Sequence, residues 1–400
     1  MRTAALPALT SIRFCAAVWV VLFHLRQILP LPSFLKPVID RGYVGVSLFF
    51  LLSGFILTYN YLPRQFTRTE FWRARFARIW PMYMVGLALG TPAFVHSVTH
   101  RGVPGFSSAI MSLTLIQAWN PKTAVAWNAP GWSLSCEAFF YLLFPWTLAF
   151  GASVFTKHRW KALTSVWLFS LAAPVLYLWI SPEGWVSPES HAAWLTVVRF
   201  NPLLRFPEFV LGVMLATAYL DGFRLPKPKI AVSASVMTLL MVLILGKHLP
   251  YPLVHNGLLA PLFALIIVGL AAEDCGLGFP ALLLLSEASY SLYIIHSPVL
   301  SWLKAFFDLL HVTLPAWLFG ITFLAVAITA SVCTYKLIEL PARTLLHGRR
   351  PGGPLPLPKL APSFDPTTTG SSGSLGATIL PTTQLSQPSA SAALVASRTP

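Results

Sequence analysis

Two ionisable side chains bracket the first apolar run of this 400-residue chain, LTSIRFCAAVWVVLFHLRQ (residues 9–27): Arg13 and His24. Ionisable groups inside an apolar span are costly and therefore candidates for function. An imidazole of ordinary pKa, near ~6.5, is largely neutral at pH 7 and can accept a proton, which suits it to general-base work. A guanidinium stays charged and pairs bidentately with phosphate or carboxylate. Eleven residues at about 100° each come within roughly 20° of three turns, so a helix sets both groups on one face, about 16 Å apart along its axis. A snorkelling arginine and an interfacial histidine would have the same spacing.

Four further segments carry polar groups into apolar surroundings. In GWSLSCEAFFYLLFP, Glu137 falls about 9 Å inside its helix, near the expected depth of His24. A carboxylate there must be paired, protonated or faced by water, and an interhelical hydrogen bond would serve equally well. In SEASYSLYIIHSPVL, Ser289, Tyr290, Tyr293 and His296 recur at helical spacing and share a face. The tyrosines suit either function or aromatic packing. RFNPLLRFPEFVLG sets Arg199, Arg205 and Glu208 at the outer part of a helix, as an internal salt bridge or as a polar rim for a hydroxyl-rich or anionic ligand. TEFWRARFARIWPMY crowds Arg73, Arg75 and Arg78 at an inner helix end, where they act as a topology signal or hold a phosphate-rich ligand.

The elements that must position these residues are membrane helices. Hydrophobic residues make up 56% of the chain and charged residues only 10%, whereas soluble chains carry about a quarter charged. The expected fold is all-α, a polytopic bundle with spans near 8–28, 43–62, 79–95, 131–150, 162–180, 197–219, 230–246, 255–272, 281–303 and 315–338, about ten transmembrane helices. The run 107–119 is too short to cross and reads as interfacial or re-entrant. The first span reads as a signal anchor. Basic residues gather in alternate loops, at 64–78, 157–161, 224–229 and 343–350, which puts both termini in the cytoplasm. That distribution argues against nucleic acid as the partner of the +15 net charge. Cys15, Cys136, Cys275 and Cys333 show no CxxC pairing and read as buried thiols, so no metal site is expected. The domain runs over 1–348. From 349 to 400 a Pro/Ser/Thr-rich segment reads as a disordered cytoplasmic tail.

Taken together, LTSIRFCAAVWVVLFH, GYVGVSLFFLLSGFIL, RARFARIWPMY, WSLSCEAFFYLLFP, NPLLRFPEFVLGVMLA, SYSLYIIHSPV and YKLIELPAR resemble, in order, the segments of the acyltransferase 3 family of membrane O-acyltransferases. The resemblance covers roughly residues 6 to 345. Where the family's second-helix motif often has an acidic residue, this chain has Ser47. The resemblance implies transfer of an acyl group, usually acetyl from acetyl-CoA, to a hydroxyl of a carbohydrate or glycolipid in the cell envelope or an extracellular polysaccharide. Macrolides and other lipids are less usual acceptors. It implies no permanently bound cofactor, and a bacterial inner membrane as the setting. It also marks His24, Arg13 and the inner-loop arginines as functional.

On that reading, Arg13, Arg73, Arg75 and Arg78 hold the donor's phosphates, His24 is the general base, and Glu137 orients its imidazole. Arg199, Arg205, Glu208, Tyr293 and His296 meet the acceptor. An acyl-enzyme through Ser53, Ser133 or Ser135 is less favoured, because none sits in a nucleophile elbow. Intramembrane His and Glu also suit a proton-coupled or solute transporter, although no inverted repeat is visible. The acceptor's identity and the oligomeric state are left open by the sequence.

Overall fold

The prolines and glycines punctuating the apolar runs set where helices begin and where they approach closely. The computed structural model describes residues 5–154, 158–184, 190–246, 248–273 and 276–347. The expected tail from 349, together with Lys157, Lys247 and Cys275, lies outside them. The described residues form helices and turns, with no strand.

Helix α1 (Pro7–Leu25) starts on a proline, whose missing N–H costs nothing in the first turn. Helix α2 (Gly45–Tyr61) follows the short turns Lys36–Ile39 and Gly42–Val44. Helix α3 (Arg68–Arg101) opens with a capping box between Thr67 and Glu70 and stops at Gly102, whose φ of 66° favours glycine. The run 107–119 becomes the short helix α4 (Gly105–Leu113) and a single 3-10 turn, Gln117–Trp119. Helices α5 (Trp132–Val154) and α6 (Arg159–Ile180) come next.

The expected span 197–219 is two helices, α7 (Ala193–Phe200) and α8 (Pro202–Leu220). Asn201 breaks the run and caps α8 by accepting from the Leu203 N–H, while Pro202 fills the first helical position. The chain continues through α9 (Pro228–Leu245), a five-residue turn of helix at Tyr251–His255, and α10 (Ala260–Ala272). Then come α11 (Pro280–Glu287), α12 (Ser289–Leu309), α13 (Ala316–Thr334), the π-type turn Tyr335–Glu339 and α14 (Leu340–His347).

Eight helical stretches among the described residues are long and apolar enough to cross a membrane. The expected spans 79–95 and 281–303 are not among them, although both are helical. Pro81, Pro92 and their aromatic neighbours dilute the first. The polar stretch 286–291 interrupts the second, where α11 gives way to α12.

At the centre α2 packs on α8, with α5, α6 and α10 around that pair. The two backbones come so close that a Cβ at Gly54 would lie 2.1 Å from the Phe209 carbonyl oxygen, and one at Gly212 2.0 Å from that of Leu51. Small residues permit such contact between membrane helices, where packing replaces the hydrophobic drive. Phe50, Phe140 and Phe209 fill the adjoining core with edge-on and stacked rings 5.1 Å apart. Helix α1 leans on α2, α11 and α12. By contrast, only 17% of the apolar windows of α6 and α9 is buried, against 78% for 36–61. Exposed side chains such as Trp179 and Leu245 are the surface offered to lipid. The chain is a multi-pass integral membrane protein.

Candidate active site

Helix α1 directs its polar face inward, and the two groups that bracket it open onto different spaces. His24 lines a large cavity of about 1770 Å³, together with Tyr43, Trp132, Arg199, His255 and Tyr293. Arg13 lines a small chamber of about 40 Å³, together with Arg78, Glu137, Tyr141, Ser133 and Tyr290. Val46 and Tyr293 line both spaces and so form the wall between them. The wall is latched by a 2.8 Å hydrogen bond between the Tyr293 and Ser133 hydroxyls.

Hydrogen bonding fixes the tautomers at His24. Its Nδ1 lies 2.8 Å from the Val20 carbonyl oxygen, which can only accept, so Nδ1 carries the proton. The Nδ1 of His296 lies 2.7 Å from the Tyr293 carbonyl oxygen and must donate as well. In a neutral ring the Nε2 of His296 is then an acceptor, and it faces the Nδ1 of His24 at 3.3 Å. The remaining His24 nitrogen, Nε2, keeps a free lone pair, and no described protein group bonds to it. A neutral imidazole on a cavity wall, held by its far nitrogen, is the arrangement a general base requires.

The structure does not bring Glu137 to His24, contrary to expectation, but bonds it elsewhere. Its Oε2 accepts from the Tyr141 hydroxyl at 2.8 Å and its Oε1 from Ser53 at 3.4 Å. The physical reason lies along α5: Trp132 faces the large cavity, Ser133 sits at the wall, and Glu137 is a further turn inward, about 6 Å. Equal expected depth on two helices did not bring the groups together, because the Tyr293 wall separates them.

Arg73, Arg75 and Arg78, near the start of α3, divide. Arg75 and Arg78 are three apart and share a helix face, whereas Arg73 projects elsewhere. Arg78 lines the small chamber and pairs with Glu339 at 3.8 Å. Glu339 is also bound by Arg343 and by the Ser291 hydroxyl at 2.7 Å. Arg75 lies against the rings of Tyr61 and Phe71. Arg73 is exposed and donates to the Leu346 carbonyl oxygen at 2.6 Å.

Arg199 reaches the large cavity, donating to the Ser190 carbonyl oxygen at 2.9 Å and lying over the Phe200 and Tyr251 rings. Arg205 and Glu208 line neither space, so the expected polar rim is instead an internal latch. Arg205 is fully buried and pairs with Glu208 at 2.9 Å. It also donates to Ser47 at 2.9 Å, and to the His255 carbonyl oxygen and Asn256 Oδ1 at 2.5 Å each. Both terminal nitrogens are directed at protein groups, which ties α8 to α2 and to the Tyr251–His255 turn, while Nε has no hydrogen-bond partner among the described residues.

His255, Tyr43, Tyr251 and Trp132 were not singled out from the sequence. The polar triplet His255-Asn256-Gly257 inside an apolar stretch was the available signal, masked by its position at the start of the expected span 255–272.

The acyltransferase domain profile of the acyltransferase 3 family matches residues 6–336. Similar proteins include acyltransferase MdmB of Streptomyces mycarofaciens, 28% identical over 89% of this chain and 96% of its own. The exopolysaccharide production protein ExoZ of Rhizobium meliloti is 27% identical over 77% of this chain and 92% of its own. O-acetyltransferase OatA of Staphylococcus aureus is 24% identical over 84% of this chain, which spans 57% of OatA. No solved structure matches. A match over nearly all the described helices, joined to an inward-facing histidine on the first of them, makes the chain a member of the acyltransferase 3 family of membrane acyltransferases.

Proposed function

We propose that the protein transfers an acetyl group from acetyl-CoA to a hydroxyl of a carbohydrate or glycolipid, with His24 as general base. The observation that carries this reading is the free Nε2 of His24 on the wall of the large cavity, its Nδ1 proton held by Val20 and His296. The acceptor hydroxyl gives its proton to Nε2 while its oxygen attacks the thioester carbonyl. The C–S bond breaks, and the leaving thiolate takes the proton back from the imidazolium, so CoA departs as the thiol.

The donor comes from the opposite side. Arg73, Arg75 and Arg78 hold its phosphates at the inner end of α3, with Arg13 deeper in the small chamber. Its thin acyl-bearing arm passes Tyr293, whose bond to Ser133 opens to join the two spaces. Glu137 belongs to this donor side, positioning Tyr141 and Ser53 beside Arg13 and Arg78. Basic loops on the donor side fit a cytoplasmic supply of acyl-CoA across a bacterial inner membrane, and the large cavity then faces outward.

Membranes containing the protein are supplied with radiolabelled acetyl-CoA and an extract of envelope and secreted glycans. Wild type is expected to move label into the glycan fraction, and His24→Ala to lose at least 1000-fold of that rate at equal abundance. Unchanged labelling by His24→Ala would remove the base assignment.

A further inference from the structure

The large cavity has a chemical character of its own away from His24. Among the described residues Lys36, Arg41, Lys122 and Arg199 line it against one carboxylate, Asp40. Among the described residues none of these four cations forms an ion pair. Within the described residues Arg41 and Arg199 donate only to carbonyl oxygens, with no carboxylate answering their charge. A concave site lined by one sign of charge concentrates ligands of the other.

His255 adds a directional group. Its Nδ1 lies 3.2 Å from a nitrogen of Arg205, and a guanidinium has donors only. The guanidinium beside Nδ1 favours the tautomer that carries its proton on Nε2. In that tautomer His255 presents an N–H donor from the cavity wall, which suits acceptor atoms such as carboxylate or phosphate oxygens. Tyr43 stacks on its ring at 5.3 Å and meets Tyr251 edge-on at 5.0 Å, and all three residues line the cavity. At about 1770 Å³ the cavity exceeds the roughly 300–1,000 Å³ of a small-molecule pocket and admits several linked sugar units.

We propose that the acceptor is an anionic saccharide, bearing carboxylate or phosphate, selected by Arg199 and the Nε2–H of His255 across the cavity from the base. The inference rests on the reading of this cavity as the acceptor site. A neutral sugar leaves the cations unanswered, and a cationic amino sugar is repelled.

The test measures binding to the full-length protein in nanodiscs, without donor. The probes are cellotetraose, its C6-oxidised tetraglucuronate, the tetramer of glucosamine, and a glucosyl phosphate carrying a decyl chain. At least one anionic probe is expected to bind tenfold or more tightly than cellotetraose, with salt weakening it, and the amine tetramer not to bind. Preference for tetraglucuronate points to acidic glycans, and preference for the decyl phosphate to phosphate-linked lipid sugars. Either supports the proposal. Arg199→Gln should abolish the preference and Arg199→Lys retain most of it, at unchanged thermal stability. Equal binding of neutral and anionic probes, no binding of either anionic probe, or a preference that survives in Arg199→Gln would overturn it. Because no acyl-CoA is present, these outcomes stand apart from the labelling test of the transfer itself.

Discussion

His24 and His296 meet across the α1–α12 contact with Nδ1 of one 3.3 Å from Nε2 of the other, and each ring is anchored to a backbone carbonyl. The pair resembles the second half of a catalytic triad in function: a fixed acceptor behind the base holds its tautomer and steadies the imidazolium that forms. Here that acceptor is a neutral imidazole rather than a carboxylate. On the proposed mechanism His296 acts as a positioning residue rather than as the acceptor ligand expected from the sequence, since its ring is fully buried and faces His24.

Replacing His296 by Leu is accordingly expected to lower kcat by about 10- to 100-fold with the KM for acetyl-CoA unchanged. His296→Gln, whose side-chain oxygen can still accept from Nδ1, should recover most of that loss. The rate should fall in both as pH drops through the range where His24 gains a proton, since only the neutral ring can act as base. Equal damage by Leu and Gln would reduce His296 to packing.

The donor side makes a prediction that separates charge from fold. Hydrogen bonds to charged groups contribute on the order of 1.5–3 kcal/mol, or about 10- to 100-fold. Arg78→Gln is expected to raise the KM for acetyl-CoA by about that factor, and Arg73→Gln by less, since its Nε is already engaged with Leu346. With S-acetylpantetheine, which lacks the nucleotide phosphates, both variants should match wild type. A loss of equal size with the truncated donor would leave these arginines as topology signals alone.

What the sequence made legible was local. The Arg13–His24 relation follows from helical periodicity on a single element, and the Arg205–Glu208 pair from an i, i+3 spacing. The break at Asn201 was readable too, as a cap followed by proline, but hydropathy carried the expected span across it. What could not be read was azimuth between helices. Depth alone put Glu137 beside His24, whereas the Tyr293–Ser133 latch stands between their spaces. His255 was hidden for a similar reason, because its role depends on a guanidinium fifty residues away in the chain.

Glu137 therefore has a diagnostic variant. Glu137→Gln keeps the shape of the side chain and its contact with Tyr141 but removes the charge facing Arg13 and Arg78. The expected outcome is a fall of tenfold or more in kcat/KM for acetyl-CoA, with the pH dependence of His24 unshifted. A pH profile displaced relative to wild type would restore a direct couple between the carboxylate and the imidazole, and with it the arrangement first expected.

The Arg205–Glu208 latch makes its prediction through stability. Removing one member of a buried ion pair leaves the other charged and unanswered, at a cost of about 3–5 kcal/mol, whereas replacing both by apolar groups of similar volume is often close to neutral. Arg205→Met should thus lower the midpoint of thermal unfolding more than the double variant Arg205→Met/Glu208→Leu, measured on detergent-solubilised protein by loss of the monodisperse peak. The double variant is not expected to match wild type. Ser47, Asn256 and the His255 carbonyl also lose their shared donor, and the His255 ring loses the cation beside its Nδ1. A double variant no more stable than Arg205→Met would mean that these neutral acceptors, and not Glu208, are what the guanidinium chiefly serves.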